Sequence, residues 1–120
     1  MGRNNLVGAW GEELAADFLK KKRYKVIGTN FRCRYGEIDI IAQNRKFLVF
    51  AEVKVRKSSK FAQACEFVDI HKQNRLRTTA EFYLSANPTT LQPRFDVIEI
   101  YAADGIETVN PSIQHMEDAF

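Results

Sequence analysis

The chain of 120 residues, 45% hydrophobic and 28% charged, has the composition of one globular domain, which excludes a disordered or fibrous protein. A formal net charge of +3 permits an anionic partner without requiring one. No stretch approaches the roughly 18 apolar residues of a membrane span, and the N-terminus lacks the apolar run of a signal peptide. Cys33 and Cys65 lack the spacing of a zinc site or a disulfide framework. We therefore expect a single domain over residues 1–120, in the reducing cytoplasm and without membrane contact.

The hydrophobic pattern predicts an α/β domain whose elements follow in the order α-β-β-β-α-β. A helix is indicated where apolar residues recur every three or four positions, and a strand where Ile, Val and Phe are enriched between polar turns. Asn44-Arg45 is the expected tip of a hairpin between the second and third strands. The predicted elements are a helix over 6–22, strands over 24–32, 36–42 and 47–55, a helix over 69–86, a strand over 94–101, a short edge strand over 106–109 and a short helical tail over 112–120.

The third predicted strand changes character along its length. Residues 48–51 are apolar on both faces, which is typical of a central strand covered by helices on each side. Period-two alternation then places Glu52, Lys54 and Arg56 together on one face. The hairpin turn brings Asp39 of the second strand opposite or diagonal to Glu52. Two carboxylates are therefore expected to meet beside a lysine.

The pair Asp39 and Glu52 has the chemistry of a metal site. Adjacent carboxylates repel unless a cation or a proton lies between them, and Mg²⁺ takes oxygen ligands with water in the remaining positions. Such an ion polarises a phosphate and lowers the pKa of bound water. Lys54 is placed to orient that water or to balance the charge that develops on the phosphate oxygens. The pattern predicts metal-dependent phosphodiester hydrolysis, with Asp39, Glu52 and Lys54 as the catalytic residues.

A third carboxylate is expected from the first helix, where Glu12 and Glu13 compete for the role. At about 100° per residue, Glu12 lies on the stripe of Ala15 and Leu19. Glu13 lies on the polar side, so Glu12 is the inward candidate. Lys72, at the start of the second predicted helix, receives a supporting role because a helix N-terminus attracts phosphate.

Basic residues cluster near these positions in the sequence. Contacts from such residues to phosphates position a nucleic acid without reading its sequence, and they make binding salt-dependent. Phe31, Tyr35 and Phe61 in the same segments are candidates to stack on bases. The nucleic-acid-binding candidates are Arg32, Arg34, Arg56, Lys57, Lys60 and Lys72.

A simpler interpretation makes these charges a set of ion pairs on a solvated sheet face. The spacing D-x12-E-x-K is a weak motif by itself, and cross-strand ion pairs contribute modestly to stability. Glu12 is then a helix-surface residue, and Lys72 reaches water past apolar neighbours. His71 and His115 are expected to be ordinary surface or tail residues, and 94–96 the charged start of a strand with an ion pair. The strongly apolar third strand counts against this interpretation, because edge strands rarely have that composition.

Several short motifs extend the first interpretation over nearly the whole chain. They are Gly11-Glu12 with Ala15, Asn30-Phe31-Arg32, Gly36-Glu37-Ile38-Asp39, Phe50-Ala51-Glu52-Val53-Lys54, Lys72, Arg94-Phe95-Asp96 and Ala119-Phe120. With these motifs the sequence resembles the bacterial YraN family. That family is similar to archaeal Holliday-junction resolvases and belongs with the PD-(D/E)xK, restriction-endonuclease-like nucleases. Its members are mostly functionally uncharacterised.

The resemblance implies a restriction-endonuclease-like fold, with a central mixed sheet flanked by helices. It further implies a Mg²⁺ or Mn²⁺ ion held by Asp39 and Glu52, with Lys54 as the catalytic lysine. Glu12 is implied as the helix-borne acid. Resolvases act as dimers on branched DNA, and a homodimer and a junction substrate come to this chain by analogy only. One departure is Phe61-Ala62, where the family pattern usually has Phe-Gly.

Three functions follow as hypotheses from different classes. The first is a Mg²⁺- or Mn²⁺-dependent endonuclease acting on DNA, including branched or junction DNA. The second is a nucleic-acid-binding or partner-recruiting module that keeps the nuclease fold without turnover. The third is a structural protein whose carboxylates only form ion pairs. The complete set of acidic residues favours the endonuclease.

Overall fold

The computed structural model describes residues 3–57 and 69–120 of the chain. The elements in chain order are α1 (Arg3–Lys21), β1 (Lys25–Cys33), β2 (Gly36–Gln43), β3 (Phe47–Arg56), α2 (Ile70–Ala86), β4 (Gln92–Tyr101), a short 3-10 helix (Gly105–Glu107) and β5 (Ser112–Met116). The strands form one sheet in the order β1-β2-β3-β4-β5, in which β3 and β4 are parallel and the other neighbours are antiparallel. The expected α/β architecture, a mixed sheet flanked by helices, is confirmed. Neither described α-helix combines the length and the apolar character needed to cross a bilayer.

The apolar half of β3 joins the two faces of the sheet. Val49 packs in a cluster with Ala15 and Leu19 of α1 on one face. Leu48 packs on the other face in a cluster with Leu76 of α2. Complete burial of an aliphatic side chain of this size contributes about 1.5–3 kcal/mol. The prediction that this strand is covered on both faces is confirmed.

The turn between β2 and β3 is set by Asn44. Its Oδ1 atom accepts hydrogen bonds from the backbone N–H groups of Lys46 (2.9 Å) and Phe47 (2.8 Å). A side-chain acceptor of this kind stabilises a turn that the backbone alone would form less often. The turn fixes the register in which Gln43 pairs with Leu48.

Two predictions for the C-terminal region are wrong. Residues 106–109, expected as an edge strand, lie at and after a 3-10 helix over Gly105–Glu107. Residues 112–120, expected as a helical tail, contain β5 instead, and β5 pairs antiparallel with β4. The edge of β4 supplies backbone hydrogen-bond partners along a whole strand, whereas a short helix in isolation is only marginally stable. Tertiary pairing therefore overrides the local pattern.

A buried ionic cluster joins β4 to β5. The Asp96 carboxylate accepts hydrogen bonds from Arg94 Nε (2.9 Å) and Nη2 (2.8 Å) and from the Asp118 N–H (3.0 Å). His115 Nε2 lies 2.7 Å from Asp96 Oδ2, and His115 Nδ1 lies 2.8 Å from Lys22 Nζ. Because an ammonium group only donates, Nδ1 accepts from Lys22 and the Nε2–H donates to Asp96. The expectation that His115 is an ordinary tail residue is wrong, since its side chain is only 2% exposed.

Gly11 allows α1 to approach β3 closely. A Cβ atom at this position would lie 2.5 Å from Val55 Cγ2, well inside contact distance. Gly8, one turn earlier in α1, would place a Cβ atom in open space. Alanine substitutions at the two glycines therefore distinguish the effect of a methyl group at the helix–sheet contact from its effect on the helix alone.

Gly11→Ala is expected to lower the free energy of unfolding by about 1–3 kcal/mol, because the added methyl group overpacks the contact with Val55. Gly8→Ala is the matched control and is expected to raise it by up to about 1 kcal/mol, because alanine favours helix more than glycine does. Urea unfolding measures both variants. Equal stability of the two variants would contradict the close approach of α1.

Asp96→Ala is expected to destabilise the protein by about 3 kcal/mol at neutral pH, because among the described residues the buried Arg94 guanidinium keeps only the Tyr24 hydroxyl and a 3.8 Å contact with the half-exposed Glu117. Burial raises the pKa of Asp96, but hydrogen bonds from His115, Arg94 and the Asp118 N–H outweigh it and hold that pKa below its ordinary 3.8. Such a carboxylate stabilises the fold above its ordinary pKa, and the contribution is lost as the pH falls through the folded-state value.

Unfolding measured from about pH 7 to pH 2 tests the acid dependence. The wild-type protein should lose stability more steeply below about pH 4 than the Asp96→Ala variant does. Parallel pH profiles for the two proteins would show that the ionic cluster does not stabilise the fold in its charged form.

Candidate active site

The candidate site lies where β2 and β3 stop pairing. Their backbone pairing ends at Ile40 and Ala51. One position further along each strand lie Asp39 and Glu52. The Asp39 Oδ2 atom there accepts a hydrogen bond from the Val53 N–H (2.9 Å). A carboxylate thus takes the acceptor position that a backbone carbonyl holds elsewhere in the ladder.

A cavity of about 160 Å³ opens at this point between the sheet and α2. Asp39 and Glu52, which the sequence pattern predicted to meet, both line it. The cavity also contains two cationic side chains from α2. Its lining residues are Gly36, Glu37, Asp39, Glu52, Lys72, Arg75 and Leu76.

Two features place α2 against the cavity. Gly36 has a φ of +153°, and a Cβ atom there would lie 3.0 Å from Thr79 Oγ1, so the helix packs directly over the start of β2. Asp69 caps the helix, since its Oδ1 atom accepts from the Lys72 N–H (2.9 Å). Lys72 consequently lies in the first turn of α2, where its Nζ atom forms an ion pair with Glu52 Oε2.

The Asp39 carboxyl holds its proton unusually tightly. Burial and the carboxylate of Glu52 raise the pKa of Asp39 from 3.8 to about 7. The Val53 N–H opposes this rise, whereas Glu12 and Glu37 add to it. The charged form is disfavoured because it is both removed from water and repelled by like charge. A cavity that crowds carboxylates in this way favours a bound cation or a proton.

Lys54 shares the Glu52 carboxylate with Lys72. The Lys54 Nζ atom lies 3.9 Å from Glu52 Oε2. Burial and the ammonium group of Lys72 hold the pKa of Lys54 below its ordinary 10.5. Lys54 therefore releases a proton more readily than a surface lysine does. Two ammonium groups, one from β3 and one from α2, thus approach the same acid.

Glu12 has the inward orientation that helical geometry predicted. It is half-buried on α1, whereas Glu13 is exposed. Its charge contributes to the raised pKa of Asp39, which places it near the acidic pair. Glu12 is not among the residues that line the cavity, so it lies beside the acids rather than between them. Its catalytic role stays a prediction.

Two of the predicted phosphate-binding arginines form ion pairs within the fold. Arg32 Nε lies 2.9 Å from Glu37 Oε2, and both side chains are substantially exposed. Arg56 Nε lies 2.8 Å from Oε2 of Glu99, whose side chain is fully buried. Arg56 therefore holds a buried carboxylate, a role that the sequence pattern did not indicate.

The other candidates from these segments differ in exposure. Arg34 lies over the ring of Tyr35, 5.0 Å from its centroid, and Tyr35 is 38% exposed. Lys57 is exposed. Phe31 packs edge-on against Tyr83 at a centroid distance of 5.2 Å, so it belongs to the α2 side of the core rather than to a free stacking surface. Predictions for Lys60, Phe61 and Cys65 lie outside the described residues.

Arg75 is a cavity residue that the sequence analysis missed. It follows Lys72 by three positions in α2, so the two cations share one face of the helix. The three-residue spacing in the sequence indicates that Arg75 lies on the same helix face as Lys72. It does not show that this face lies over Asp39 and Glu52, which only the packing of α2 against the sheet reveals.

The acidic pair has the donor chemistry that a divalent ion of the magnesium type uses. Among the described residues, no group of three or more His, Cys, Asp or Glu side chains is arranged to hold a metal ion. Mg²⁺ is commonly bound through only one or two carboxylates, with water and substrate phosphates in the other positions. Asp39 and Glu52 are donors of the number and type that Mg²⁺ commonly takes from a protein, whereas zinc would require more protein ligands.

Asp39→Asn is expected to stabilise the protein in EDTA above about pH 7, because it removes a repelled carboxylate and keeps an oxygen for the Val53 N–H. Since the pKa of Asp39 is raised to about 7 in the folded state, the fold binds more protons than the unfolded chain between about pH 4 and pH 7. The free energy of unfolding of the wild-type protein should therefore decline as the pH rises across that interval and then level off.

The Asp39→Asn variant should lack this decline. Urea unfolding across the interval tests this, with exposed Glu13→Gln as the control; an Asp39→Asn protein less stable than wild type at pH 8 would contradict it.

Comparison with known proteins identifies the family. The model of Uncharacterised protein family UPF0102 matches residues 11–100, which include every residue of the cavity. The UPF0102 protein of Caldicellulosiruptor bescii is 47% identical over 116 residues, covering 95% of this chain and 96% of the relative. That of Caldanaerobacter subterraneus subsp. tengcongensis is 44% identical over 115 residues (95% and 93%), and that of Syntrophomonas wolfei subsp. wolfei is 40% identical over 118 residues (98% and 99%). The chain therefore belongs to the UPF0102 family, the YraN family that its motifs indicated.

Proposed function

We propose that this protein is a Mg²⁺- or Mn²⁺-dependent endonuclease that hydrolyses phosphodiester bonds in DNA, with branched or junction DNA among its substrates. The observation that supports this most directly is the meeting of Asp39 and Glu52 in one cavity, with the pKa of Asp39 raised to about 7. Strongly perturbed acids that share a cleft with cationic groups are typical of functional sites. A purely structural set of ion pairs does not require two carboxylates to be held together.

Four side chains of the cavity, together with Lys54, have roles in this proposal. Asp39 and Glu52 would hold the ion, which supplies positive charge to the phosphate and lowers the pKa of bound water. Hydrolysis forms a bond from water oxygen to phosphorus and breaks the bond to the leaving sugar oxygen. Lys54 stabilises the negative charge that builds up on the phosphate oxygens during this exchange. Lys72 and Arg75 contact the phosphates beside the scissile bond.

Glu12 has a positioning role in the same proposal. It lies on α1, on the opposite side of the sheet from Lys72, yet its charge contributes to the raised pKa of Asp39. A carboxylate at that position orients water of the site by accepting its hydrogen bonds. Glu13, which is exposed, provides a control of identical chemistry one residue away.

The alternative function is a nucleic-acid-binding or partner-recruiting module without turnover. The ion pair between Lys72 and Glu52 favours it, because this pair neutralises one of the two proposed ligands. Such a module binds nucleic acid in a salt-sensitive manner that EDTA does not change. The endonuclease, in contrast, requires a divalent ion for cleavage.

The proposal is tested by measuring cleavage of a panel of labelled DNAs in the presence of Mg²⁺ or Mn²⁺. The panel contains a single strand, a duplex, a flap and a four-way junction. Asp39→Asn and Lys54→Ala should each lower the cleavage rate at least about 100-fold, since the first removes a proposed ligand of the ion and the second removes a cation beside the reacting phosphate. Glu12→Gln should lower the rate by about 10- to 100-fold as a positioning residue.

The control variants are Glu13→Gln for the acids and Lys21→Ala for the lysine, both exposed on α1. They should cleave at the wild-type rate, and circular dichroism should show the same fold for all proteins. Absence of cleavage across the panel with both ions, together with DNA binding that EDTA leaves unchanged, would reject the endonuclease in favour of the module.

A further inference from the structure

A second charged feature lies away from the acidic cavity, at the far end of the β2–β3 hairpin. It is a groove of about 660 Å³ between the C-terminal end of α1, the start of β1 and the hairpin turn. We call it the basic groove. Its lining residues are Lys22, Arg23, Lys25, Gln43, Asn44, Arg45 and Lys46. Five of these seven residues are cationic, and none is a carboxylate.

Four of the five cations have no acidic partner within the part of the chain that the structure describes. Arg23, Lys25, Arg45 and Lys46 are exposed and form no ion pair there. Lys22 differs, because its Nζ atom contacts His115 and lies 3.8 Å from Glu117 Oε2. Unpaired cations that line one concave surface reinforce each other's potential.

The groove also accounts for the net charge of the protein. The chain has 18 basic and 15 acidic residues. Removing the five groove cations from the 18 leaves 13 basic residues against 15 acidic ones. The five groove cations thus exceed the formal net charge of +3, and the rest of the sequence has two more acidic than basic residues.

The backbone beneath these cations is held by hydrogen bonds on both sides. At the end of α1, the Tyr24 N–H donates to the Leu19 carbonyl (3.0 Å), and Arg23 adopts a φ of +72° that closes the helix. On the hairpin side, the Asn44 side chain fixes the turn, and the Gln92 N–H donates to the Lys46 carbonyl (2.9 Å). An ordered backbone lowers the conformational entropy lost when the side chains bind a ligand.

The chemistry of the lining selects a phosphodiester backbone as the occupant. Among the described residues, no apolar side chain lines the groove, so this part of the chain supplies neither the inserting residues of a membrane-surface site nor the apolar anchors of a protein interface. Lysine, arginine and side-chain amides are the groups that contact phosphate and sugar oxygens in nucleic acid complexes. We propose that the basic groove binds the phosphate backbone of a nucleic acid at a place separate from the acidic cavity.

This inference rests on the proposed function for the class of ligand but not for cleavage. The groove and the cavity share no lining residue. Gln43 lies four positions after Asp39 along β2, which corresponds to about 13 Å. Groove variants therefore leave the proposed metal ligands and Lys54 intact, and the two proposals fail in different experiments.

The test is fluorescence anisotropy of the full chain with a labelled DNA duplex of about 20 base pairs, in EDTA, from about 50 to 200 mM salt. Arg45→Ala with Lys46→Ala removes two groove cations from the exposed hairpin turn. Each lost phosphate contact lowers the slope of log K against log salt by about 0.9, so this double variant should lower it by about 2. Affinity at about 100 mM salt should fall at least about 10-fold.

The matched control is Lys20→Ala with Lys21→Ala, two exposed lysines of α1 that lie outside the groove. Both double variants lower the formal net charge of +3 by two. The control should bind DNA with the wild-type slope and affinity. Equal losses in the two double variants would show an effect of net charge alone and would overturn the groove, as would wild-type binding by the groove variant.

Two further outcomes separate the hypotheses. Groove-dependent binding by a protein that cleaves nothing in the panel would support the groove and count against the endonuclease. The second outcome concerns vesicles of phosphatidylcholine and phosphatidylglycerol. If the wild-type protein sediments with these vesicles, the groove variant does not, and neither protein binds DNA or RNA, the proposal is overturned in favour of a lipid surface.

Discussion

The repulsion between Asp39 and Glu52 is the constraint on which the rest of the site depends. Both carboxylates lie on neighbouring strands immediately beyond the last backbone pair, so the sheet itself sets their proximity. Burial strengthens the repulsion because water is not available to screen it. The Val53 N–H stabilises one charge, and the Lys72 ammonium stabilises the other. Folding thus holds two like charges together and compensates each from a different element.

The fold can maintain this arrangement because its stability comes from elsewhere in the same strands. The first half of β3 is buried on both faces, and its apolar side chains join the α1 and α2 clusters. Only the second half of the strand carries Glu52 and Lys54. The two glycines with close contacts, Gly11 and Gly36, allow one helix to approach from each face. The buried apolar half of β3 therefore positions the charged half of the same strand.

The sequence predicted the parts of this site that depend on local pattern. Alternation along β3 was sufficient to place Glu52 beside Lys54, and helical geometry was sufficient to prefer Glu12 to Glu13. Local pattern failed where a partner element decides the outcome. β5 was read as a helix because its pairing partner on β4 is far away in sequence. His115 was read as a surface residue for the same reason, since the strand carries it into contact with Asp96.

The basic groove was missed because its cations come from two short segments, 22–25 and 43–46, that meet only in the folded chain. Each segment alone resembles a solvated turn, which is the common fate of a basic run. Arg56 differs from the groove cations: its position beside the acidic strand suggested phosphate binding, and in the structure its guanidinium pairs with buried Glu99. Sequence proximity to the acids was therefore a poor guide to which cations are free.

The distribution of charge also indicates how a polyanion would approach. The cavity alone attracts a phosphate weakly, because three acidic residues, Glu37, Asp39 and Glu52, line it against two cations, and one of those cations, Lys72, is already paired with Glu52. Attraction over distance comes from cations that are not paired, and in the described part of the chain the basic groove brings four of these together on one surface. A bound divalent ion would reverse the sign of the cavity locally. On the proposed function, initial binding therefore depends on the groove and needs no metal, whereas the chemical step depends on the cavity and does.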